Sequence, residues 1–533
     1  MLKADVLKKG VRHQAGGEVV RGSAMAIKVL GHALRKSLGP RGTWKMLVGE
    51  GEVLVTSSGS TMLRNMALEH PAAKLLAEAA IRQEAEVGDG TKTTVILAER
   101  LVEEGVKLIE MGLHPSQVVE GYVAAALRSF QEIDGVAKPL AVDEGSLASL
   151  LTDTLMTRVT NASIAACLAK LAVAATLRLR EWAAGPRAFD AEWDLEVVAI
   201  RGGAVDEAQL IDGVVFKEYD MPLNSPKLMR GVKVALFNCE LDLSKLMERS
   251  TKVVIDSPRS YIKFTNYLRG LRNEIADLIA STGARLVVFE RYVDPVVKHL
   301  LLRRGVITVE KVGWPKLYRL AKATGAHAVP HVYELREEDL GVASVVEEVK
   351  VGDERLLVVR GAGPVGPSTI VVRGAGDGAC EEYKRLMSSA IRVASKAIEA
   401  PALVPGGGAL EVEVAMRVRR WAKGVGGKKQ LAIERFTYAL ESIPEALADT
   451  LGLDPVKALS DLRAEHHKGL ADVGVNAEDG SIGPCRVWEL ACVKKAAIKH
   501  AVEAARIVLK CDAILHYERE EGEDGARRGE REG

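Results

Sequence analysis

Apolar residues recur at helical spacing along both ends of this 533-residue chain. The spacing predicts a helix over residues 17–36 and further helices from Ser60 to about Ile133. Residues Glu144 to Trp182 are alanine-rich and are predicted to be mostly helical. The same pattern returns from Glu381 to Ala397, and again from about Ala400 to His516. Both ends of the chain are therefore predicted to be helical.

The middle of the chain has a different pattern. From Gln209 onward, short apolar runs predicted to be strands alternate with stretches of helical spacing; the runs read VVFKEY, VKVALFN, LVVFE and VITVEKV. Two more short strands, Trp44–Leu47 and Val53–Thr56, are predicted to form a hairpin near the N-terminus. Alternating strands and helices inside a helical sequence predict an α/β domain inserted into a helical one.

Length and composition limit the architecture and the partners. A chain of 533 residues is too long for one core, so two or three domains are expected. Hydrophobic residues make up 47% of the chain and aromatic residues only 4%, which predicts an aliphatic, alanine-rich core. Lysine and arginine number 73 against 72 aspartate and glutamate, so the chain lacks the basic excess of a nucleic-acid-binding protein.

The cysteines and the N-terminus indicate a cytoplasmic protein. The six cysteines form no CxxC pair, which argues against a disulfide framework or a zinc site and favours small buried side chains. They are Cys167, Cys239, Cys380, Cys485, Cys492 and Cys511. The N-terminus has no apolar run typical of a signal peptide, and no segment is expected to be long enough to span a membrane.

A glycine-rich turn is the strongest candidate for a binding site. Residues Gln83–Thr94 read QEAEVGDGTKTT, in which two glycines flank Asp89, and a helical pattern follows. Free N–H groups and hydroxyls at such a helix start suit a phosphate, and a neighbouring carboxylate suits Mg²⁺. The local alternative is a plain helix start with Asp89 and Thr91 as capping residues.

A Walker A loop does not fit this turn. That loop needs a glycine followed directly by lysine, and a second glycine five residues earlier. Here Thr91 separates Gly90 from Lys92, and position 85 is alanine. If phosphate binds at this turn, another architecture holds it.

Six further stretches occur with this turn. They are SLGPRGTWKML (Ser37–Leu47), VLVTSSGSTML (Val53–Leu63), HPAAKLLAEAA (His70–Ala80), HPSQVVEGY (His114–Tyr122), ALVPGGGALEVEVA (Ala402–Ala415) and CVKKAAIKHAVEAARIVLKCDAIL (Cys492–Leu515). Together with the turn, they make the sequence resemble the group II chaperonins, the thermosome and its eukaryotic cytosolic relatives. The resemblance runs from about Leu34 to Leu515 and is weakest between about Thr152 and Glu192.

The resemblance implies a multidomain α plus α/β fold, the chaperonin fold. Its parts are a mainly helical equatorial domain, a small intermediate domain and an α/β apical domain with a helical protrusion. The expected boundaries are 1–140 and 399–517 for the equatorial domain, 141–205 and 351–398 for the intermediate domain, and 206–350 for the apical domain. The protrusion is expected at about 244–275 and would act as a lid. The charged tail, 518–533, is expected to be disordered.

The resemblance also implies that ATP binds to the equatorial domain, with Mg²⁺ held by Asp89. The implied nucleotide-binding residues are Leu38, Gly39, Pro40, Asp89, Gly90, Thr91, Lys92, Thr93, Gly407, Gly408 and Asn476. For the Leu-Gly-Pro segment, the local sequence is equally well explained by the C-terminal cap of a helix.

The sequence departs from the family at the positions expected to carry hydrolysis. Family members usually have carboxylates where this chain has Ser58 and Ser389, and these carboxylates would orient or deprotonate the attacking water. A serine hydroxyl cannot accept a proton near pH 7, so no catalytic residue is expected to be intact. Aspartate is also usual at Trp44 and Asn476. Lys92 stands where threonine is usual, and could partly replace Mg²⁺ or pair with Asp89.

The apical segment is predicted to bind other proteins. A helix is expected to begin near Asp256-Ser257-Pro258, and it places Tyr261, Phe264 and Leu268 on one face. The resemblance implies that this face belongs to the lid and binds non-native polypeptide. The alternative is an ordinary amphipathic helix that covers the core of its domain.

These observations predict an ATP-binding molecular chaperone with impaired ATP hydrolysis. It would bind and help to fold non-native proteins within a double ring of chaperonin subunits, which are either identical or different. No nucleic acid or membrane partner is expected. Two alternatives stay open: a fully active ATP-hydrolysing chaperonin, and a structural or interaction protein that keeps the chaperonin shape.

Overall fold

The chain forms two compact units in the computed structural model. The structure describes residues 12–49, 52–159, 161–182, 194–222, 225–243, 257–361, 363 and 366–516. The first unit combines both chain ends, Met1–Ala162 and Lys396–Gly533, and the second unit is the middle of the chain, Ser163–Ser395. The predicted fold class, a helical domain interrupted by an α/β insertion, is confirmed. The predicted boundaries of the three domains stay a prediction.

The first unit is mainly helical. Its helices are Gly17–Arg35, Gly59–Asn65, Pro71–Val87, Thr91–Glu110, Pro115–Val136, Glu144–Met156, Ala409–Ala422, Gly427–Thr450, Pro455–His467 and Ala491–Lys510. Its strands are Arg12–Ala15, Lys45–Gly49, Glu52–Thr56, Lys138–Pro139, Ala402–Pro405, Val473–Val475, Ile482–Pro484, Trp488–Leu490 and Ala513–His516. The helix over residues 17–36 and the hairpin after it were predicted to within a few residues.

Strand pairing joins the distant halves of the first unit. Arg12–Ala15 pairs antiparallel with Ala513–His516. Ala402–Pro405 is the central strand of a small sheet, between Trp488–Leu490 and Lys138–Pro139. Residues from both chain ends therefore share one unit, as the repeated helical pattern predicted.

The core of the first unit is aliphatic and densely packed, as the composition predicted. The helix Thr91–Glu110 buries residues on most of its surface. Small residues let neighbouring helices approach closely: a Cβ on Gly121 would lie 2.4 Å from the Cβ of Ala432. A larger side chain at position 121 would therefore force the helices apart, which typically costs about 1–3 kcal/mol.

The second unit is built around a seven-stranded sheet. Six strands lie side by side in the order Ile307–Val309, Leu286–Phe289, Leu228–Phe237, Gly341–Val351, Glu354–Arg360 and Val214–Phe216, and Ala328–Val329 pairs with Leu228–Phe237. The strands on the Ile307 side are parallel, and the others are antiparallel. A second sheet has the order Leu195–Arg201, Ser368–Gly374 and Gln209–Asp212.

Helices cover both faces of the larger sheet. The helices Pro258–Ser281 and Pro295–Arg303 contribute to one apolar core, and Gly313–Thr324 contributes to another. Short 3₁₀ turns lie at Val205–Glu207, Val332–Glu334 and Glu337–Asp339. Two long helices, Ala162–Trp182 and Asp377–Glu399, cross the boundary between the units in sequence.

The structure corrects one sequence prediction. Residues Ala162–Glu181 have a mean hydropathy of 1.6 and are long and apolar enough to cross a membrane, with 44% of that window buried. The expectation that no segment reaches this length was wrong by that criterion. Core helices packed inside proteins pass the same test, so the finding is weak evidence for a span.

Part of the predicted lid, 244–256, and the predicted disordered tail, 518–533, lie outside the described residues.

Candidate nucleotide-binding site

A cavity of about 280 Å³ lies in the first unit and is lined by residues from both ends of the chain. Every nucleotide-binding residue predicted from the sequence lines it: Leu38, Gly39, Pro40, Asp89, Gly90, Thr91, Lys92, Thr93, Gly407, Gly408 and Asn476. Segments separated by more than three hundred residues therefore meet at one place.

Two helices begin at this cavity, and a glycine precedes each of them. Gly90 and Gly408 have φ angles of +86° and +80°, a left-handed conformation that favours glycine. They precede the helices Thr91–Glu110 and Ala409–Ala422. Helix N-termini present N–H groups and partial positive charge, which suit an anion.

The local alternative of side-chain capping does not hold at the first of these helices. Gly90 is the capping residue, and no side chain accepts a hydrogen bond there. The hydroxyl of Thr91 is buried and has no hydrogen-bond partner among the described residues. Buried polar atoms are nearly always paired, so an unpaired hydroxyl at the mouth of a phosphate-suited turn supports a ligand there.

The carboxylate of Asp89 is engaged by an arginine that the sequence analysis missed. Arg158 places Nη2 3.0 Å from Asp89 Oδ1 and Nη1 3.3 Å from Glu84 Oε1. The same guanidinium donates to the backbone oxygen of Gly88 at 3.5 Å. Arg158 follows the helix Glu144–Met156, far from the glycine turn in sequence, so no local pattern pointed to it.

Lys92 does not pair with Asp89, contrary to one of the two sequence-based possibilities. Its Nζ donates to the backbone oxygen of Ser37, 2.5 Å away. Its stem packs beside Gly59, where a Cβ would lie 3.0 Å from Lys92 Cγ. Burial and the positive charge of Arg158 lower the pKa of Lys92 to about 8, and the charge of Asp89 only partly opposes them.

Ser58 is a helix cap in this structure. It is 5% exposed, precedes the helix Gly59–Asn65 and accepts a hydrogen bond from the Thr61 N–H at 3.4 Å. Its hydroxyl also lies 3.2 Å from that of Ser60. The neighbouring Gly59 lines the cavity, whereas Ser58 itself is not one of the lining residues. Trp44, where aspartate is usual, is 51% exposed.

Ser389 lies in the second unit, buried on the helix Asp377–Glu399. The prediction that Ser389 and Ser58 face the same phosphate stays a prediction.

A second charged group at the cavity was also missed. The ammonium group of Lys494 lies 2.9 Å from Glu411 and 2.8 Å from Glu489. Burial by itself would lower the pKa of Lys494, but the two carboxylates raise it above its usual value. Lys494 and Glu489 line the cavity. The three residues come from separate elements, and only the fold brings them together.

Asn476 and Asp153 add polar groups elsewhere on the wall. Asn476 is 7% exposed, and its Nδ2 donates to the hydroxyl of Ser481 at 3.4 Å. Burial raises the pKa of Asp153 to about 6, and the charge of Glu478 adds to the effect. The sequence analysis did not identify Asp153, because a single aspartate in a helix carries no distinguishing pattern.

The residues around Asp89 do not fit a resident metal ion. Mg²⁺ is held in proteins by carboxylates together with substrate phosphates. The carboxylate that the sequence predicts to hold Mg²⁺, Asp89, is already paired with Arg158. In the parts of the chain that the structure describes, no group of three or more His, Cys, Asp or Glu side chains could hold a metal. The cavity does fit the nucleotide, because two helix starts and the unpaired Thr91 hydroxyl border it.

The predicted lid face is partly exposed. Within the second unit, Tyr261 is 59% exposed, whereas Phe264 and Leu268 are half-buried. Two further apolar side chains of the same helix, Ile262 and Tyr267, are 58% and 61% exposed. Ser257 caps this helix through the Ser260 N–H, close to the predicted start.

A helical unit built from both chain ends around a phosphate-suited cavity, with an α/β unit inserted, is the architecture of a chaperonin subunit. Residues 30–519 match the model of the TCP-1/cpn60 chaperonin family. The chain therefore belongs to this family, and the predictions of a group II chaperonin and of a molecular chaperone are confirmed.

Named relatives are similar over nearly their whole length. The chain is 34% identical to the thermosome subunit beta of Archaeoglobus fulgidus, over 98% of this chain and 96% of that protein. It is 34% identical to the thermosome subunit alpha of Sulfolobus acidocaldarius, with the same two coverages. It is 35% identical to the thermosome subunit beta of Thermoplasma acidophilum, over 96% of this chain and 94% of that protein.

Proposed function

We propose that this chain is an ATP-binding subunit of a ring-shaped chaperonin that binds and helps to fold non-native proteins. The observation that carries the proposal is the cavity of about 280 Å³ that gathers all the predicted nucleotide-binding residues in one unit. The partners are non-native polypeptides and other chaperonin subunits in a double ring. We expect the assembly to be cytoplasmic.

We propose further that the subunit hydrolyses ATP slowly. In hydrolysis, the oxygen of water bonds to the γ-phosphorus, the bond to the bridging oxygen breaks, and ADP leaves. The attacking water must lose a proton, and phosphoryl transfer depends on a group that positions this water. Serines stand where the family has carboxylates, at positions 58 and 389. Loss of a general base lowers a rate by about 10²–10⁴-fold.

The test of this proposal is a pair of measurements on the purified protein. Calorimetry with ATP measures binding, and single-turnover phosphate release at saturating ATP measures hydrolysis. We expect binding with slow or undetectable release. Brisk release by the unmodified protein, free of contaminating chaperonin, would favour the fully active alternative. Absence of ATP binding would favour the structural or interaction protein.

The restoring variant combines Ser58→Asp with Ser389→Asp. The pair should raise the single-turnover rate by more than the product of the single changes, because the two groups act as a unit. The same pair is to be repeated with Lys92→Thr, since that lysine alters the charge beside the phosphates. Ser281→Asp is the matched control, because Ser281 is exposed at the end of a helix in the second unit.

Client binding is tested separately, on the helix Pro258–Ser281. Replacing Tyr261, Phe264 and Leu268 by serine should reduce the suppression of client aggregation. Because Phe264 and Leu268 are half-buried, a second variant, Tyr261→Ser with Ile262→Ser, changes only exposed side chains. Val296→Ser, an exposed change on another helix, is the control. Unaltered suppression by the second variant, with an intact circular dichroism spectrum, would contradict the proposed client face.

A further inference from the structure

Two cations stand where a nucleotide site of this class is expected to use a metal ion. Arg158 pairs with Asp89 at 3.0 Å and with Glu84 at 3.3 Å. Arg158 and Asp89 side chains are 10% and 29% exposed, so the pair is only lightly screened by water. A metal ion would have to separate this pair before it could use the carboxylate.

Lys92 is a partly buried cation without an anionic partner among the described residues. Its single hydrogen bond among the described residues is to the backbone oxygen of Ser37. No carboxylate of the described chain lies within salt-bridge distance of its Nζ; Asp89, the nearest candidate in sequence, is taken by Arg158. Removing a charge from water is costly unless the charge is paired. The charge of Lys92 therefore destabilises the folded protein. An anion that binds in the cavity would offset this destabilisation.

The surroundings of Lys92 match this role. Its stem lies against Gly59, next to Ser58, which stands where the family has a carboxylate. It belongs to the first turn of the helix Thr91–Glu110, next to the unpaired hydroxyl of Thr91. Both Lys92 and Arg158 line the cavity, together with the glycines that precede its helices. Side chains of the protein, rather than a metal ion, can therefore supply positive charge to this cavity.

We propose that this site binds its nucleotide without a divalent metal ion, because Arg158 occupies the carboxylate that would hold the metal and Lys92 supplies positive charge to the phosphates. The proposal rests on the proposed nucleotide-binding function and adds how the phosphate charge is neutralised. Lysine binds phosphates as a point charge, which suits a site whose metal-binding carboxylate is already paired.

The first test is calorimetry with ATP on the full-length protein, in EDTA and in excess Mg²⁺. We expect ATP to bind at least as tightly in EDTA as in excess Mg²⁺, because Mg²⁺ complexes free ATP and competes with the site for its phosphates. Electron paramagnetic resonance with Mn²⁺ gives an independent measurement. Addition of the protein should release Mn²⁺ from the nucleotide, because the bound nucleotide is expected to carry no metal ion.

Lys92→Met tests the phosphate cation directly. It should weaken ATP binding in EDTA by about tenfold to a hundredfold, since hydrogen bonds to charged groups contribute about 1.5–3 kcal/mol. Mg²⁺ should restore little of the loss while Arg158 still occupies Asp89. Lys74→Met, an exposed change on the helix Pro71–Val87, is the matched control and should bind like the unmodified protein.

Changes at the Asp89–Arg158 pair separate the two roles of the carboxylate. Arg158→Gln frees Asp89, so Mg²⁺ should then strengthen ATP binding by about tenfold or more. Asp89→Asn removes a negative charge beside the phosphates and should leave the affinity in EDTA equal or higher. Because Arg158→Gln also breaks the contact to Glu84, circular dichroism must confirm its fold. Arg506→Gln, at an exposed arginine of the same unit, is the control.

The outcomes distinguish failure of metal-free binding from failure of the nucleotide-binding function on which it rests. Strong ATP binding that is lost in EDTA, or a large loss of Mg²⁺-dependent affinity in Asp89→Asn, would overturn metal-free binding and keep the nucleotide site. Equal affinity of Lys92→Met and the unmodified protein in EDTA would also overturn it. Failure of the unmodified protein to bind ATP under both conditions would refute the nucleotide site itself.

Discussion

Two lysines, Lys494 and Lys92, line the same cavity but lie in opposite surroundings. Lys494 lies between Glu411 and Glu489, at 2.9 Å and 2.8 Å, and its pKa is raised above its usual value because the carboxylates outweigh burial. Lys92 contacts a backbone oxygen, and burial lowers its pKa to about 8. A lysine that is paired with carboxylates, such as Lys494, stabilises the fold. A lysine without a paired carboxylate, such as Lys92, is available to bind an anionic ligand.

The two lysines are also expected to differ in their effects on folding stability and on nucleotide binding. Removing one partner of a buried ion pair strands the others, and this is strongly destabilising. Removing an unpaired buried charge relieves a cost instead. The same kind of substitution, lysine to methionine, should therefore change stability in opposite directions at these two lysines.

The largest expected effect is the loss of stability in Lys494→Met. Two glutamates would be left near each other without a cation, and breaking a buried pair costs about 3–5 kcal/mol. Urea unfolding followed by the helical circular dichroism signal measures the change. The matched control is the next residue, Lys495→Met, whose partner Asp134 is exposed, so about 1 kcal/mol or less should be lost. Equal effects at the two positions would contradict the contrast.

Lys92→Met should do the opposite and stabilise the protein at pH 7. The pKa of Lys92 falls from 10.5 to about 8, which corresponds to a gain on the order of 1–3 kcal/mol after allowance for partial exposure. Below pH 8 both the folded and the unfolded protein carry the proton, so the cost of burial is fully present. As pH rises from 8 to 10.5, the folded protein loses the proton first, and the advantage of methionine should fade.

The measurement is urea unfolding of both proteins at several pH values between 7 and 10. A gain in stability combined with a loss of ATP affinity would identify Lys92 as a binding residue. Lower stability at pH 7, with Lys74→Met unchanged, would mean that Lys92 is paired in the protein and that the contrast with Lys494 is wrong.

Ser58→Asp should make the surroundings of Lys92 more like those of Lys494. The new carboxylate would stand beside the Lys92 stem, next to Gly59, and would hold the lysine in its charged form. We expect about 1 kcal/mol of added stability near pH 8 and weaker ATP binding in EDTA. Ser58→Asn is the uncharged control, because asparagine also caps helices. If both variants behave alike, the effect comes from the cap.

The smallest expected effect is the pH dependence of nucleotide affinity. With its pKa at about 8, Lys92 loses its positive charge as pH rises through that value, so ATP affinity in EDTA should fall. A decrease of about threefold between pH 7 and 9 is expected, because bound phosphate itself raises the pKa of the lysine. Lys92→Met should show a flat profile over this range. A flat profile in the unmodified protein would place the lysine away from the phosphates.

The glycine turns, together with the resemblance to the chaperonins, were sufficient to predict the residues of the cavity but not its ion pairs. The glycines Gly90, Gly407 and Gly408 mark turns that other residues adopt at a cost, and such turns are visible in the sequence. Arg158 lies in the turn after the helix Glu144–Met156, and Lys494 lies in the helix Ala491–Lys510. Their partners, Asp89 and Glu411, are 69 and 83 residues away in the chain. No spacing rule connects residues so far apart.

The amino-acid sequence by itself determined the family, the helical ends and the inserted α/β unit, and the turns that border the nucleotide cavity. Those features depend on hydrophobic periodicity and on glycine, which act over a few residues. Only the tertiary structure decided which charges meet: Asp89 pairs with Arg158, and Lys494 pairs with two glutamates. Lys92 meets no carboxylate in the part of the chain that the structure describes. The physical reason is that electrostatic partners are chosen by distance and burial in space, and folding sets both.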